Sequence, residues 1–414
     1  MNGIKFERGT ENRLSVDEAL ARLLTGATAP RDMELIETER ALGRVLAESQ
    51  LSAIDVPAIE CSAVEGFAVA AATLNATGAT HLEVTQQIGV GDIPAPLRDG
   101  TAALVVSGAP IPAGADTVVA REDVRTDANG FVVVPTAVPT QNVRRVGADI
   151  SAGTQVLVKG TRLRPQELGV AATVGLARLP VFRRLRVGIL SAGADITAPG
   201  EFLRSGRVYN SNRYTIAGLL QSLGCSILHY GSAREDRNLT RRLLVRAAEE
   251  TDLVITSGGV PADPGGFVER IVGEIGSASL WRVAVEPGKV LLHGRIGGTP
   301  LLGLPGNPLA AFVTSCILVR PYVLRSQGIT DIAPHSIRLA ADFEWLHPVP
   351  QREYLRARLC TEEGAPNCVR LHVTPDTTAF VSTLWADGLV DIPAGGTVAR
   401  GQTVTFVPFG ELFS

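Results

Sequence analysis

Apolar positions along the chain change their period several times, and each change predicts a different kind of element. In SVDEALARLL (15–24) Val16, Leu20, Leu23 and Leu24 recur at helical spacing, and Ser15 stands where a helix cap belongs. A second helix is predicted over 33–48, MELIETERALGRVLAE. Between residues 50 and 150 the pattern shortens to HLEVTQQI, AALVVSG, DTVVARE and FVVVPTAV, separated by Gly and Pro. DANG (127–130) is a hairpin-grade turn, because Asn-Gly accepts the positive φ that tight turns need. This stretch predicts a small β-rich domain of half-barrel type.

From residue 185 strands and helices alternate. RRLRVGILSAG, CSILHYG, DLVITSGG and PLLGLPG read as strands, with LWRVAVE and KVLLHGRI between the last two. Helices are predicted through TIAGLLQSL (capped by Ser211 or Asn212 and closed by Gly224), LTRRLLVRAAEE, FVERIVGEI and LAAFVTSCILVRPYVLRS. Nearly continuous apolar strands between amphipathic helices predict a parallel sheet covered on both faces. After residue 330, SIRLAADF, EYLRARLC, VRLHVTP and VTFVPF alternate as strands of a compact C-terminal β domain. The expected class is a multidomain α/β protein.

Composition narrows this only a little. With 414 residues, 45% hydrophobic and 20% charged, the chain has material for about three domains and is not disordered by composition. A net charge of −3 gives no support to sequence-independent nucleic-acid binding. The five cysteines lack a CxxC spacing, which favours a reducing compartment over a disulfide framework or zinc site, and they are expected to be mostly buried. Residues 296–319 carry no charge, but PGNP interrupts them, so a buried core segment is expected and no membrane span. MNGIKFERGTENRLS lacks the apolar run of a signal peptide, and the expected compartment is the cytoplasm.

Ligands of open α/β sheets bind outside the carboxyl ends of the strands. Three such ends carry small residues: SAGADITAPGE (191–201), SGGVPADPGG (257–266) and LPGNP (304–308). Glycine admits close approach, and helices following these loops offer free N–H groups, so an anion or phosphate site is expected here. No GxGxxG follows the first strand, GxxxxGK[ST] and GxSxG are absent, and the six histidines show no metal-ligand spacing. Mg²⁺ needs only one or two carboxylates beside substrate phosphates, and Glu65, Asp149, Asp195 and Asp263 are the candidates. Taken singly, each also reads as a turn former or cap.

The ordered set ETERALGRVLAESQLSAIDVPAIECSAVEGFAVAA, VVSGAPIPAGADTVVAREDV, NVRRVGADISAGT, the 187–213 segment, DLVITSGGV and GLPGNPLAAF resembles the molybdopterin molybdenumtransferase family, which includes the gephyrin E domain. The resemblance runs from residue 14 to the C-terminus. It implies four parts: an elongated N-terminal domain of 1–57 with 149–184, a β-rich inserted domain 58–148, an α/β molybdopterin-binding domain 185–328 and a C-terminal β domain 329–414. The central part would be doubly wound and similar to molybdopterin adenylyltransferases. The implied activity is insertion of molybdate into adenylylated molybdopterin, with Mg²⁺ and release of AMP. A homodimer is implied, with the site between the α/β domain of one subunit and the β-rich domain of the other. A molybdopterin adenylyltransferase or a recipient molybdoenzyme is the implied partner protein.

Carried over position by position, Glu65, Asp149 and Asp195 become the catalytic acids, with Asp195 and Asp263 as metal candidates. Ser107, Ser191, Gly193, Ser257, Gly258, Gly259, Lys289, Pro305, Gly306, Asn307 and Pro308 become substrate-binding. Departures are several. SAMDGYAV is SAVEGFAV here, putting Glu65 and Phe67 in place of Asp and Tyr, and Ser107 stands where Thr is usual. Ala148 and Ala194 replace acids, Gly266 fills the slot of an Asp, and IKPGK is VEPGK, with Glu286 for Lys. The usual Gln-Gly-Ser run is DTTAF (376–380). Two readings follow: an enzyme that tolerates these changes, or a non-catalytic paralogue that binds the cofactor or helps a molybdoenzyme mature.

Overall fold

The computed structural model describes residues 13–29, 32–193, 195–233, 236–260, 265–360, 367–372 and 380–414. The helix Val16–Thr25 forms as its pattern predicts. Ser15 Oγ accepts from the Glu18 N–H at 3.1 Å, and the Glu18 carboxylate accepts from the Ser15 N–H at 2.8 Å, a reciprocal cap.

The helix expected over 33–48 does not form. Met33–Glu37 is a strand, paired antiparallel with Arg178–Phe182 over five positions, and a single 3₁₀ turn follows. The partner lies some 140 residues away in sequence, so a long-range ladder overrides local helical propensity, and Gly43 at φ +70° ends any helical run. Around it gather Ala41, Leu46, Leu157, Leu163, Ala171, Leu179 and Val181, contributed by both sides of the β-rich segment.

That β-rich segment is an open six-stranded sheet rather than part of a barrel. Its order is Thr117–Ala120, Gly66–Val69, Thr101–Val105, Thr80–Ile88, Val132–Val134, Arg125–Thr126. Strand alternation gives it two apolar faces: Phe67, Val69, Ala102 and Val119 on one, Ala68, Ala103, Val105 and Val118 on the other. The DANG turn closes its hairpin as expected, with Asp127 N–H donating to the Phe131 carbonyl at 2.9 Å.

The central sheet runs Ser226–Ala233, Arg186–Ala192, Leu253–Ser257, Thr299–Leu304, Val290–Ile296, Gly276–Arg282. Its first four strands are parallel, and the last two are antiparallel, a correction to the all-parallel expectation. Val290–Ile296 is joined to Thr299–Leu304 by Gly297-Gly298 alone, and so short a link permits only a hairpin. Helices Ser211–Ser222 and Pro308–Ser326 cover one face, while Arg237–Glu250 and Phe267–Ile275 cover the other. The helix Pro308–Ser326 is long and apolar enough to cross a bilayer, yet 89% of its 18-residue apolar window is buried within the protein. Cys61, Cys225 and Cys316 are buried, Cys360 and Cys368 half-buried, and all five are free.

After residue 330 the chain closes a small barrel. Arg352–Cys360 pairs with Cys368–Leu371 on one side and with Gly388–Ile392 on the other, with Ile337–Ala341 and Thr403–Pro408 completing the ring. Val285–Glu286 pairs in parallel with Arg352–Glu353 and ties the barrel to the central domain. Tyr354, Leu389, Val407 and Leu412 share one apolar cluster with Phe312 and Leu318 of the long helix.

Candidate functional site

Parallel register aligns the strand ends. Ser191 lies opposite Ser257, and Ser257 opposite Leu304, so the three glycine-bearing loops leave the sheet side by side. The turn holding Lys289 belongs to the same edge: Val290 starts an antiparallel strand in which Leu292 faces Gly303, and Gly288 packs against Thr314 of the long helix.

Two glycines are required by geometry. Gly258 has φ +81°, and a Cβ there would lie 2.1 Å from the Ala192 carbonyl oxygen. Gly259 has φ +66°, and its Cβ would meet Val268 at 2.6 Å. Gly306 differs: among the described residues a Cβ would have only the Gly258 Cα within reach, at 3.8 Å, and meets no other of them.

Two asparagines that sequence reasoning did not assign to the site tie these loops together. Asn210 donates to Ser191 Oγ at 2.8 Å, and its side-chain oxygen accepts from the Arg213 N–H. It is therefore Asn210, not Ser211 or Asn212, that caps Ser211–Ser222. Asn212 donates to Ser257 Oγ at 2.8 Å and to the Gly306 carbonyl at 2.9 Å. A carbonyl only accepts, so the Asn212 amide nitrogen must face it, and the amide oxygen is left buried without a partner. Thr256 and Thr314 hydroxyls are likewise buried and unpartnered. The signal was present in YNSN (209–212), where one amide caps a helix and a second stands in its first turn, at the end of a strand-end loop.

Helix N-termini at this edge are less free than expected. Asn307 Oδ1 takes the Ala310 N–H at 3.0 Å, and the Glu269 carboxylate takes those of Gly265 and Gly266 at 2.8 and 3.3 Å. Each cap removes donors that an anion would otherwise use. Asp195 is exposed at the first strand end, and its Oδ1 lies 2.8 Å from where a Gly193 Cβ would stand, so the carboxylate folds back over that end. Lys289 Nζ is held 2.8 Å from Glu286. Asp263, Ala194 and residues 376–379 lie outside the described residues.

The remaining predicted residues gather in the β-rich domain. Glu65 is ion-paired with Arg121, and Asp149 with Arg144. Ser107 Oγ donates to the Ala63 carbonyl at 3.2 Å, and Arg144 lies opposite Cys61 in a short ladder, so these groups share one end of the domain. Phe67 is buried among Val69, Leu82 and Val119, an apolar setting that needs no hydroxyl. Among the described residues, no hydrogen bond or ion pair joins this set to the strand-end loops.

Replacing Asn212 tests the bridge. Asn212→Asp keeps the shape but turns a donor into an acceptor facing the Gly306 carbonyl, so a stability loss of about 2 kcal/mol is expected in denaturant unfolding.

An α/β module with three in-register glycine loops at one sheet edge, joined to β-rich domains, defines the class of protein: a multidomain α/β fold with a candidate binding edge. Family comparison makes the class specific. Residues 14–175 match the MoeA N-terminal region (domain I and II), residues 188–325 the "Probable molybdopterin binding domain", and residues 338–409 the MoeA C-terminal region (domain IV). The chain is 32% identical to the molybdopterin molybdenumtransferase of Haemophilus influenzae over 408 residues, covering 96% of this chain and 99% of that one. It is 33% identical to molybdopterin molybdenumtransferase 2 of Mycobacterium tuberculosis, covering 86% and 89%. A molybdopterin biosynthesis MoeA protein from Pyrococcus horikoshii superposes with TM-score 0.77 at 28% identity, over 96% of this chain and 99% of that one. The chain belongs to the molybdopterin molybdenumtransferase family, enzymes of molybdenum cofactor biosynthesis.

Proposed function

We propose that this protein inserts molybdate into adenylylated molybdopterin in the cytoplasm and releases AMP. The observation that carries the reading is the convergence of Ser191, Ser257-Gly258-Gly259 and Pro305-Gly306 on one edge, bridged by Asn212. Gly258 and Gly259 let backbone approach the ligand, and Gly306 leaves room for a planar ring. The unpartnered Asn212 oxygen suits an N–H of a pterin, the kind of donor such a heterocycle presents. Asn307 and Pro308 hold the third loop against its helix.

Mg²⁺ fits this edge through Asp195, an exposed carboxylate beside the cradle, with substrate phosphates supplying further oxygens. When bound it would neutralise charge on the phosphoanhydride. Lys289 serves as a point charge toward an oxyanion once freed from Glu286. Glu65, Ser107 and Asp149 would reach the cradle from a second copy of the chain, which is why we propose a homodimer. The four-part division 1–57 with 149–184, 58–148, 185–328 and 329–414 is proposed with it. An adenylyltransferase delivering the substrate, or the molybdoenzyme receiving the product, is the proposed partner.

One observation favours the second reading, a non-catalytic cofactor carrier: Glu65, Asp149 and Lys289 are each held by an opposite charge. Complementation separates the two. The chain is expected to restore molybdoenzyme activity to a host lacking its insertase. A soluble protein that retains molybdopterin yet restores none would establish the carrier instead.

A further inference from the structure

Beside the first of the glycine loops lies a cavity whose lining residues have no role in the transfer described above. After Asp195 the chain forms Ile196–Thr197, loops out through 198–207 and returns as Val208–Tyr209 alongside. Asn210 follows and donates to Ser191 Oγ, so the loop is anchored at the first strand end. Tyr209 Oη donates to the Glu201 carbonyl at 3.2 Å and braces it from within.

The loop walls a cavity of about 240 Å³ lined by Thr197, Glu201, Phe202, Arg204 and Arg207. Thr197 is 5% exposed, and its hydroxyl has no hydrogen-bond partner. Arg204 is exposed and Arg207 half-buried, and among the described residues neither is ion-paired. Elsewhere most arginines near acids are taken: Arg183, Arg186, Arg237, Arg246, Arg352 and Arg400 all have carboxylate partners. Two guanidiniums bring only donors, a hydroxyl adds one more, and Glu201 leaves the lining with one net positive charge. A tetrahedral anion with several oxygens offers acceptors to all three groups together.

We propose that this cavity is a binding site for a phosphate ester. Arg204 and Arg207 hold the phosphoryl oxygens, and the Thr197 hydroxyl donates to one of them. The site rests on the reading above in one respect, that a phosphorylated ligand occupies this edge.

The test is calorimetric titration of the full chain with inorganic phosphate, AMP and molybdate at two ionic strengths. Wild type is expected to bind phosphate and AMP more weakly at high salt. Arg204→Ala and Arg207→Ala should each weaken binding about tenfold, and Thr197→Val, which keeps the shape, should weaken it measurably with unfolding unchanged. AMP outbinding phosphate, with that advantage lost in Phe202→Ala, supports the site and names a nucleotide as its ligand. Equal affinity for the two supports it and names the phosphate group alone. No phosphate binding by wild type, tighter binding of molybdate than of phosphate, or unchanged affinity in the double arginine variant, overturns it. Failed complementation with arginine-dependent phosphate binding intact would remove the transferase reading and leave this site standing.

Discussion

Gly258→Ala is expected to lose about 3 kcal/mol of stability and essentially all pterin binding. A left-handed backbone costs a non-glycine residue about 1–2 kcal/mol. The rest comes from a Cβ 2.1 Å from the Ala192 carbonyl oxygen, a backbone atom of the neighbouring strand that cannot swing aside. Either Gly258 changes conformation or the first and second loops part, and both outcomes dismantle the edge. Two controls divide strain from site. Gly265→Ala has φ +101° and meets nothing within 4 Å among the described residues, so it should show strain of about 1 kcal/mol alone. Among the described residues Gly306→Ala meets only the Gly258 Cα, at 3.8 Å, so stability should stay within about 0.5 kcal/mol. Its methyl enters the open space of the cradle, and ligand affinity should fall while the unfolding midpoint holds. Denaturant unfolding and molybdopterin retention during purification read the two effects separately. Full pterin retention in Gly306→Ala would place the ligand elsewhere.

What the sequence made legible was mostly what is settled within a few residues. Ser15 and Glu18 cap one helix reciprocally, and DANG turns one hairpin, because the atoms involved are three or four positions apart. SGG and LPGNP were readable as strand ends for the same reason. Long-range pairing was not readable. MELIE carries helical spacing but has a strand partner at RLPVF, and GLVDI (388–392), which closes the barrel, carries no alternation of its own. Charges at the site showed the same limit. Glu65, Asp149 and Lys289 were visible as residue types, and Glu286 stood three residues from Lys289, whereas the pairing of Glu65 with Arg121 and of Asp149 with Arg144 is set by folding and was not. Asn212 was legible only as a cap candidate, since its two acceptors stand 45 and 94 residues further along.

Glu286→Lys is expected to raise oxyanion affinity about thirtyfold. Wild-type Lys289 spends its charge on Glu286 at 2.8 Å, although as a half-exposed pair this contributes little to stability, about 0–1 kcal/mol. For an incoming molybdate the same arrangement matters more. A unit charge near a partly exposed anion is worth roughly 1 kcal/mol, and reversing its sign counts twice, giving about 2 kcal/mol. Glu286→Gln removes repulsion without adding attraction and should give about half that gain in free energy. A second readout comes from Glu353, paired across the ladder with Glu286 and 5% exposed. Burial pushes the Glu353 carboxyl above its ordinary range, the Trp345 N–H at 2.7 Å opposes this, and Glu286 adds to the rise. A raised carboxyl favours folding below its unfolded pKa, and that contribution is lost as pH rises through the folded value. With Lys at 286 the rise shrinks, so stability should fall less steeply on leaving acidic pH. Molybdate titration and unfolding across pH check both halves. Unchanged molybdate affinity in Glu286→Lys would mean that the turn holding Lys289 faces no oxyanion.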